Sequence, residues 1–170
     1  MFNIYTIKME TPMTENENTL LIEKNMSDLK KLYPRQLLIS KKQLTQLRKN
    51  SESTLNREKE KGTGIPHKQE NRGIVMYPLR DIARWMAGSS HINTDTELLI
   101  DRHIEDIWEI LPNQLFASKS QLAQLRGISE STLNREKSKK RGVPFKKDGK
   151  HIVYAIRDIA KWLSETIKVS

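Results

Sequence analysis

The sequence predicts a mainly α-helical fold with small β-hairpin wings, arranged as two tandem copies of one domain. The nine residues SESTLNREK occur at 51–59 and again at 129–137, which is far beyond chance in a chain of 170 residues. Helical hydrophobic spacing precedes each segment, and a Gly-x-Pro break followed by short apolar stretches comes after it. An internal repeat of this kind determines the domain organisation before any other feature does.

The match between the copies extends beyond the nine residues. Matched positions lie 78 residues apart up to the hairpin, as for Pro66 and Pro144, and 77 apart after it, as for Arg80 and Arg157. A domain of this size buries only about 60% of its chain surface on folding, so contact between the copies or dimerisation would add stability. We expect a flexible N-terminal tail, a first repeat, a linker, a second repeat and a C-terminal tail at 1–19, 20–86, 87–97, 98–163 and 164–170.

Composition excludes several kinds of site. The chain has no cysteine, which excludes disulfides and thiolate metal ligands and is typical of cytoplasmic proteins. No apolar run approaches the roughly 18 residues of a membrane span, and the first residues do not resemble a signal peptide. We therefore expect a cytoplasmic protein with no membrane partner.

The positive charge is concentrated in the two repeats. The chain has a net charge of +9; residues 20–86 hold 15 Lys and Arg against 7 Asp and Glu, and residues 98–163 hold 13 against 8. A basic balance favours an anionic partner, most often nucleic acid. Charge alone leaves a basic protein without such a partner equally open.

A first helix is predicted at the start of each repeat. The apolar residues within 100–111 recur with the period of a helix, and a proline follows the pattern in both copies, where it disfavours further helix. Thr94 and Glu97 have capping-box spacing for the second copy. Trp108 stands where the first copy has Lys30, and we expect this position to mark a contact between the repeats.

Two shorter helices separated by a tight break predict a helix-turn-helix. Ser40 and Ser118 each begin an S-x-x-Q capping box, so the first of these helices should cover about 41–49 or 119–126. In the second copy Gly127 can take the left-handed conformation that ends a helix, and Ile128 can fill the angle between helices. The first copy has Asn50 in place of this isoleucine. Asparagine tolerates the left-handed region but fills no space, so a looser first copy is expected.

The segment SESTLNREK should form the second helix of the motif. Leu55 and Leu133 are its only strongly apolar residues, so they must face the core and the polar residues half a turn away must face out. Arginine pairs with guanine, asparagine with adenine, and serine with base or phosphate, which suits the major groove. A solvated polar helix face is the alternative. The candidate recognition residues are Ser53, Thr54, Asn56, Arg57, Lys61, Ser131, Thr132, Asn134, Arg135 and Lys139.

A β-hairpin and a last helix are predicted to complete each repeat. Asp148-Gly149 is a strong hairpin signal in the second copy, and Trp85 and Trp162 should pack their final helices onto the core. Basic hairpin tips beside a helix-turn-helix typically contact phosphates or the minor groove, whereas a merely solvated hairpin is the alternative. The candidate wing residues are Lys68, Arg72, Lys146, Lys147 and Lys150.

The capped helix, the break, SESTLNREK, the Gly-x-Pro hairpin entry and LRDIARW or IRDIAKW together resemble the winged helix-turn-helix of the MerR-like superfamily. The closest resemblance is to its small excisionase and AlpA-like DNA-binding proteins, and it covers about 37–86 and 115–163. It implies two tandem winged helix-turn-helix domains that bind double-stranded DNA. Such proteins are bacterial transcription regulators or recombination directionality factors, nucleoid-associated or encoded by mobile elements. The coiled coil and effector domain of MerR proper are absent, so sensing of metals or small molecules is not implied.

Catalysis has little support in the sequence. The histidines occupy unmatched positions, and no cluster has the spacing of metal ligands or of a nucleophile with its base. We expect no enzymatic activity, no metal and no cofactor. The competing hypothesis is a protein-interaction adaptor that docks an acidic partner, such as an integrase or polymerase subunit; homodimerisation also stays open.

Two identical recognition segments predict two near-identical DNA subsites. The linker at 87–97 spans at most about 36–40 Å when extended, and one turn of duplex is about 34–36 Å. Subsites about 10 base pairs apart are therefore within reach, and they should be direct repeats if the domains follow each other in the same orientation.

Overall fold

The structure, a computed structural model, describes residues 13–70, 74–89 and 95–166. The first repeat has seven elements in the order helix, strand, two helices, two strands and helix. They are α1 (Glu15–Leu32), β1 (Leu38–Ser40), α2 (Lys41–Arg48), α3 (Glu52–Glu60), β2 (Lys68–Glu70), β3 (Ile74–Pro78) and α4 (Leu79–Met86).

The second repeat has the same elements in the same order. They are α5 (Thr96–Ile110), β4 (Phe116–Ser118), α6 (Lys119–Arg126), α7 (Glu130–Ser138), β5 (Lys146–Asp148), β6 (His151–Ala155) and α8 (Ile156–Ser164). The prediction of a mainly helical fold with small hairpins is confirmed at this level.

Each repeat contains one three-stranded antiparallel sheet. In the first, β3 lies between β1 and β2, with Ile39 opposite Tyr77 and Gln69 opposite Val75. The second sheet has the equivalent order β4-β6-β5. The short strand before the two short helices thus pairs with the far strand of the hairpin, which places the hairpin beside these helices.

The helix starts agree with the predicted caps in part. Two of the three predicted capping boxes form. The hydroxyls of Ser40 and Ser118 accept from the backbone N–H three residues on, and the glutamine side chains accept from the serine N–H groups in return. Helix α5 is instead capped by Asp95, and Thr94 lies outside the described residues. Helix α1 begins at Glu15, inside the segment expected to be a tail, because Thr14 forms a further capping box with the third residue of that helix.

Two hydrophobic cores form, one under each helix pair. The first includes Leu55 and the second includes Leu133, as predicted for the inward residues of the SESTLNREK segments. Three apolar residues of the first repeat lie not in its own core but in that of the second: Leu37, Leu38 and Met76. The repeats therefore pack directly against each other.

Polar contacts cross the same interface. The guanidinium of Arg80 donates two hydrogen bonds, of 2.8 and 2.9 Å, to Asp106, and Lys30 contacts Asp106 and Glu109 at 2.8 Å. Burial opposes ionisation of Asp106, but the hydrogen bonds from Arg80 and Lys30 outweigh it and hold the pKa of its carboxyl below the usual range. The pairing thus keeps a buried carboxylate charged between the repeats.

The position of Lys30 and Trp108 does mark a contact between the repeats, as expected, but Trp108 takes no part in it. Its side chain is exposed, and its indole N–H donates to the carbonyl of Gln114 within the same repeat at 2.9 Å. The matched residue, Lys30, makes the contact between repeats instead. The difference at this position arises because only the first copy turns this face of its first helix toward a neighbour.

Candidate nucleic-acid interface

The break before each SESTLNREK helix is closed by a left-handed residue. In the second repeat this residue is Gly127, with φ of 65°, and Ile128 packs against the core as predicted. In the first repeat it is Lys49, with φ of 52°, rather than Asn50, which corrects the sequence-based expectation. A lysine there adopts a conformation that is unfavourable for a residue with a Cβ.

Asn50 takes the place of the isoleucine without its packing. Its backbone N–H donates to the carbonyl of Thr45 at 3.0 Å, so it continues the helix end. Its side-chain oxygen is buried and accepts no hydrogen bond from any described residue. A buried unsatisfied oxygen is destabilising, so it agrees in direction with a less firmly held first copy, which stays a prediction.

An Arg–Glu–Trp cluster holds the two short helices together in each repeat. In the first, Arg48 donates two hydrogen bonds of 2.7 Å to Glu58 and lies 4.4 Å from the ring centroid of Trp85. The hydrogen bond from Arg48 is the main reason that the pKa of Glu58 is lowered. This bidentate ion pair fixes the angle at which α3 leaves α2.

The second repeat builds the same cluster from the matched residues. Arg126 donates two hydrogen bonds of 2.7 Å to Glu136 and lies 4.3 Å from the centroid of Trp162. This cluster was not among the features predicted from the sequence. The signal was present, since all three residue types recur at matched positions and Glu136 lies within the repeated nine residues.

The first turn of each SESTLNREK helix is a cluster of hydroxyls. Ser51 caps α3 by accepting from the backbone N–H of Thr54, and its hydroxyl is 2.9 Å from that of Ser53. Ser129 caps α7 in the same way, with Ser131 and Thr132 as the matched neighbours; each repeat thus has small hydrogen-bonding side chains at the positive end of a helix. Such an end favours phosphate oxygens.

The outward faces of α3 and α7 carry the predicted polar residues. Asn56, Arg57, Asn134 and Arg135 are all exposed, and among the described residues neither arginine has a side-chain hydrogen bond or ion pair. The amide oxygen of Asn56 accepts from Lys41 at 2.9 Å, which orients this amide in the first repeat. Lys61 and Lys139 are exposed at the helix ends. Thr54 and Thr132 are half-buried in the first turn of each helix, whereas the other candidate recognition residues lie on the exposed surface of each repeat.

The second wing is exposed as predicted. Lys146, Lys147 and Lys150 project from the β5–β6 hairpin, and Gly149 has φ of 61°, as a tight Asp-Gly turn requires. Lys146 also lies 5.9 Å from the ring centroid of Phe116. Three cations therefore surround one hairpin tip beside α7.

The hairpin of the first repeat differs, because Lys68 is not exposed as predicted. Its ammonium donates to the backbone carbonyls of Trp162 and Glu165, at 2.6 and 2.8 Å, and lies 4.1 Å from the centroid of the Trp162 ring. Lys68 is therefore buried between the repeats and is not available to a phosphate. Arg72, the other predicted residue of this wing, lies outside the described residues.

Other kinds of site are not seen in the part of the chain that the structure describes. Residues 13–70, 74–89 and 95–166 contain no cluster of three metal-ligating side chains. Within the same ranges, no helix combines the length and the apolar composition needed to cross a membrane. Comparisons of the chain with protein-family models, with curated proteins and with solved structures found no match.

Proposed function

We propose that the protein binds double-stranded DNA in a sequence-specific manner through two winged helix-turn-helix modules. The observation that carries this proposal is the identity of residues 51–59 and 129–137, which supply the outward faces of α3 and α7 up to their last residue. Each helix is positioned by the same Arg–Glu–Trp cluster and the same hydroxyl cap. In line with the resemblance to excisionase and AlpA-like proteins, the role is that of a transcription regulator or a recombination directionality factor.

The chemistry of these faces fits base edges and phosphates. Arg57 and Arg135 lack competing partners among the described residues, so each can pair with the two acceptors of a guanine in the major groove. Asn134 offers the donor and acceptor that adenine requires. The capped helix ends and the lysines of the second wing supply contacts to phosphates, which add affinity but no sequence information.

The contact between the repeats supports a direct rather than an inverted arrangement of subsites. Different surfaces of the two repeats meet, as in the pairs Lys68–Trp162 and Arg80–Asp106, so the repeats are not related by a two-fold axis. Since a two-fold axis would place the two helices on an inverted pair, its absence favours two subsites in the same direction. We expect two near-identical subsites about 10 base pairs apart, or one turn of duplex.

Selection of binding sites from a random duplex pool tests this function, followed by mobility shifts with the enriched site and with random duplex. The expected result is a direct repeat that is bound saturably and competed poorly by bulk DNA. Absence of any shift at low salt would refute DNA binding. An enriched site with one unrepeated element, an inverted pair or a spacing of about 20 base pairs would refute the two-module arrangement.

A second candidate is the protein-interaction adaptor. The exposed apolar side chains of Leu115 and Phe116 on the second repeat favour a protein contact. The mobility shift distinguishes the two, because an adaptor would show only weak binding to any duplex, with no preference for a sequence.

A further inference from the structure

The two repeats meet through two different surfaces, which we call the front face and the back face. The front face belongs to the first repeat and consists of Lys30, Leu37, Leu38, Lys68, Met76 and Arg80. The back face belongs to the second repeat and is formed by Asp106, Glu109, Leu125, Gly127 and Trp162. A contact between unlike surfaces leaves one of each unused, since every repeat can have both.

The unused front face lies on the second repeat and is exposed. Leu37 is 4% exposed in the contact, whereas its match Leu115 is 71% exposed. Arg80 and its match Arg157 have side chains that are 5% and 65% exposed. Phe116, the match of the buried Leu38, is exposed as well. These apolar residues form a patch beside a cation, and nothing in the described part of the chain covers them.

The unused back face lies on the first repeat. Asp28 is the match of the buried Asp106, and its side chain is 60% exposed. Trp85, the match of the buried Trp162, is half-buried, and so is Leu47, the match of the buried Leu125. An exposed acid, a tryptophan and a leucine therefore recur at the positions that receive the front face in the second repeat.

We propose that the front face of the second repeat docks on the back face of the first repeat in another copy of this chain. The contact continues the one already present between the repeats and links the chains head to tail. This proposal stands on the two faces and not on DNA binding, so each can fail without the other.

The charged pairs of the internal contact are preserved in the intermolecular one. The buried pair Arg80–Asp106 becomes Arg157 of one chain and Asp28 of the next, with the same residue types. In the single chain, Arg157 and Asp28 make only long ion pairs within their own repeats. The charged atoms are 3.9 Å apart for Arg157 and Asp101, and 3.7 Å apart for Asp28 and Lys31. They can therefore change partner at little cost.

The stacking contacts are preserved too, in part with the roles exchanged. Lys68 over Trp162 becomes Lys146 over Trp85. The pair Lys30–Glu109 becomes Trp108 and Lys31, an ion pair replaced by a cation next to an aromatic ring. The exposed ring of Trp108, whose N–H is bonded to the carbonyl of Gln114, thus gains a cation from the neighbouring chain.

One position departs from the internal contact. A Cβ added at Gly127 would lie 2.1 Å from the amide nitrogen of Gln36, and the first repeat has Lys49 where the second has this glycine. The intermolecular contact therefore requires Gln114, the match of Gln36, to turn its side chain aside. Within one chain the linker holds the two repeats at an effective concentration of about 1 mM, and separate chains lack this linker. We therefore expect association only at protein concentrations that approach about 1 mM.

A charge exchange between the two faces tests the proposal, with sedimentation velocity of the protein without DNA up to about 1 mM. Wild type should associate reversibly with concentration. Arg157→Asp places like charges opposite each other, and so does Asp28→Arg. Each should raise the concentration for half-association by at least about tenfold. An equimolar mixture of the two variants should associate as wild type does, because each contact between unlike chains then joins opposite charges.

Lys42→Asp is the control, since it changes the net charge as much as Arg157→Asp does, on an exposed residue outside both faces. It should associate like wild type, and all variants should keep the melting temperature of wild type. A wild type that stays monomeric throughout overturns the proposal. So does normal association of either charge variant, or a mixture that stays monomeric although both variants are folded.

Discussion

The two repeats fold alike, but the first one has its front face buried and the second one has it exposed. Leu37, Leu38 and Met76 complete the core of the second repeat, whereas Leu115 and Phe116 contact no equivalent neighbour. The environment of a matched position is therefore set by which repeat it belongs to, and not by the residue type. Substitutions at matched positions should have unequal effects, and those differences test the arrangement.

The comparison also separates two kinds of surface. The outward faces of α3 and α7 are identical in sequence up to Lys59 and Lys137 and differ only at the last residue of each helix, Glu60 and Ser138. Some residues at the contact differ between the copies, as at Lys30 and Trp108 or at Gly127 and Lys49, whereas others, such as Arg80 and Arg157, are the same. An outward face that is repeated residue by residue points to one ligand recognised twice, whereas the differences at the contact occur where only one copy of each face has a neighbour within the chain.

The largest expected effect is on the buried ion pair between the repeats. Arg80→Ala should lower the free energy of unfolding by about 3–5 kcal/mol, because it leaves Asp106 buried with only Lys30 as a partner. The matched Arg157→Ala should lower it by less than about 1 kcal/mol, since that arginine is exposed. Urea unfolding of both variants measures the difference. Equal effects would mean that the repeats do not pack through this pair.

The second prediction concerns pH and the buried His103. Burial lowers the pKa of His103 to about 3, so the folded chain keeps this imidazole neutral while the unfolded chain protonates it near pH 6.5. The unfolded state thus binds more protons between pH 6.5 and 3, and stability falls as the pH falls through this window. At pH 5 the loss from His103 is about 2 kcal/mol. Asp106, whose pKa is depressed, loses its contribution only at lower pH.

The first repeat supplies the matched variant for this test. Asn25 stands at the position of His103, and its side-chain amide donates to the carbonyl of Ala83 at 3.1 Å. His103→Asn should therefore fold and should lose less stability between pH 6.5 and 5 than wild type. The remaining loss should come from His67, whose pKa burial also lowers. An unchanged pH dependence of the unfolding free energy would contradict this account of His103.

The third prediction compares the two recognition arginines. Arg135→Ala should lower the preference for the selected site over random duplex by about 1–3 kcal/mol and relax one position of its subsite. Arg57→Ala should do the same to a smaller extent, because Asn50 seats its helix less firmly than Ile128 seats the other. Affinities for both duplexes at several salt concentrations measure this. If Arg135→Ala weakens both equally, the arginine is a phosphate clamp.

The order of elements and the local signals were predictable from the sequence. The features that were predicted all depend on residues close together in the chain. They are the serine caps at Ser40 and Ser118, the inward Leu55 and Leu133, and the Asp148-Gly149 turn. Hydrophobic periodicity and helix capping act over a few residues, so both can be recognised in a single sequence. Exposure of the recognition residues followed from the same reasoning.

The contact between the repeats was not predictable in this way. Lys68 and Lys146 are matched residues in matched strands, yet only the first lies against a tryptophan of the other repeat. Nothing within either repeat distinguishes their surroundings, because the difference arises from tertiary packing. The Arg–Glu–Trp cluster, by contrast, was missed although the recurrence of its three residue types was visible.

The fourth prediction uses that pair of lysines. Lys146→Ala together with Lys147→Ala should flatten the salt dependence of binding by up to about two units of slope and weaken selected and random duplex alike, because each lysine releases nearly one counterion. Lys68→Ala should leave this slope unchanged, since its ammonium is bonded to the carbonyls of Trp162 and Glu165. A reduced slope in Lys68→Ala would show that the first wing also contacts phosphates.

The smallest expected effect would make the first break resemble the second. Asn50→Ile copies Ile128, removes a buried side-chain oxygen that has no partner among the described residues, and adds apolar contact in the angle between α2 and α3. It should raise the free energy of unfolding by about 1 kcal/mol.

The reverse change, Ile128→Asn, should lower the free energy of unfolding by at least as much, because it removes packing and also buries an amide. If Asn50 is the reason that Arg57 contributes less to site preference than Arg135, then Asn50→Ile should bring the effect of Arg57→Ala closer to that of Arg135→Ala. The other outcome is an Asn50→Ile protein that is more stable but in which Arg57→Ala still has the smaller effect. The difference between the two subsites would then arise from the hairpins, where Lys68 is buried and Lys146 is exposed.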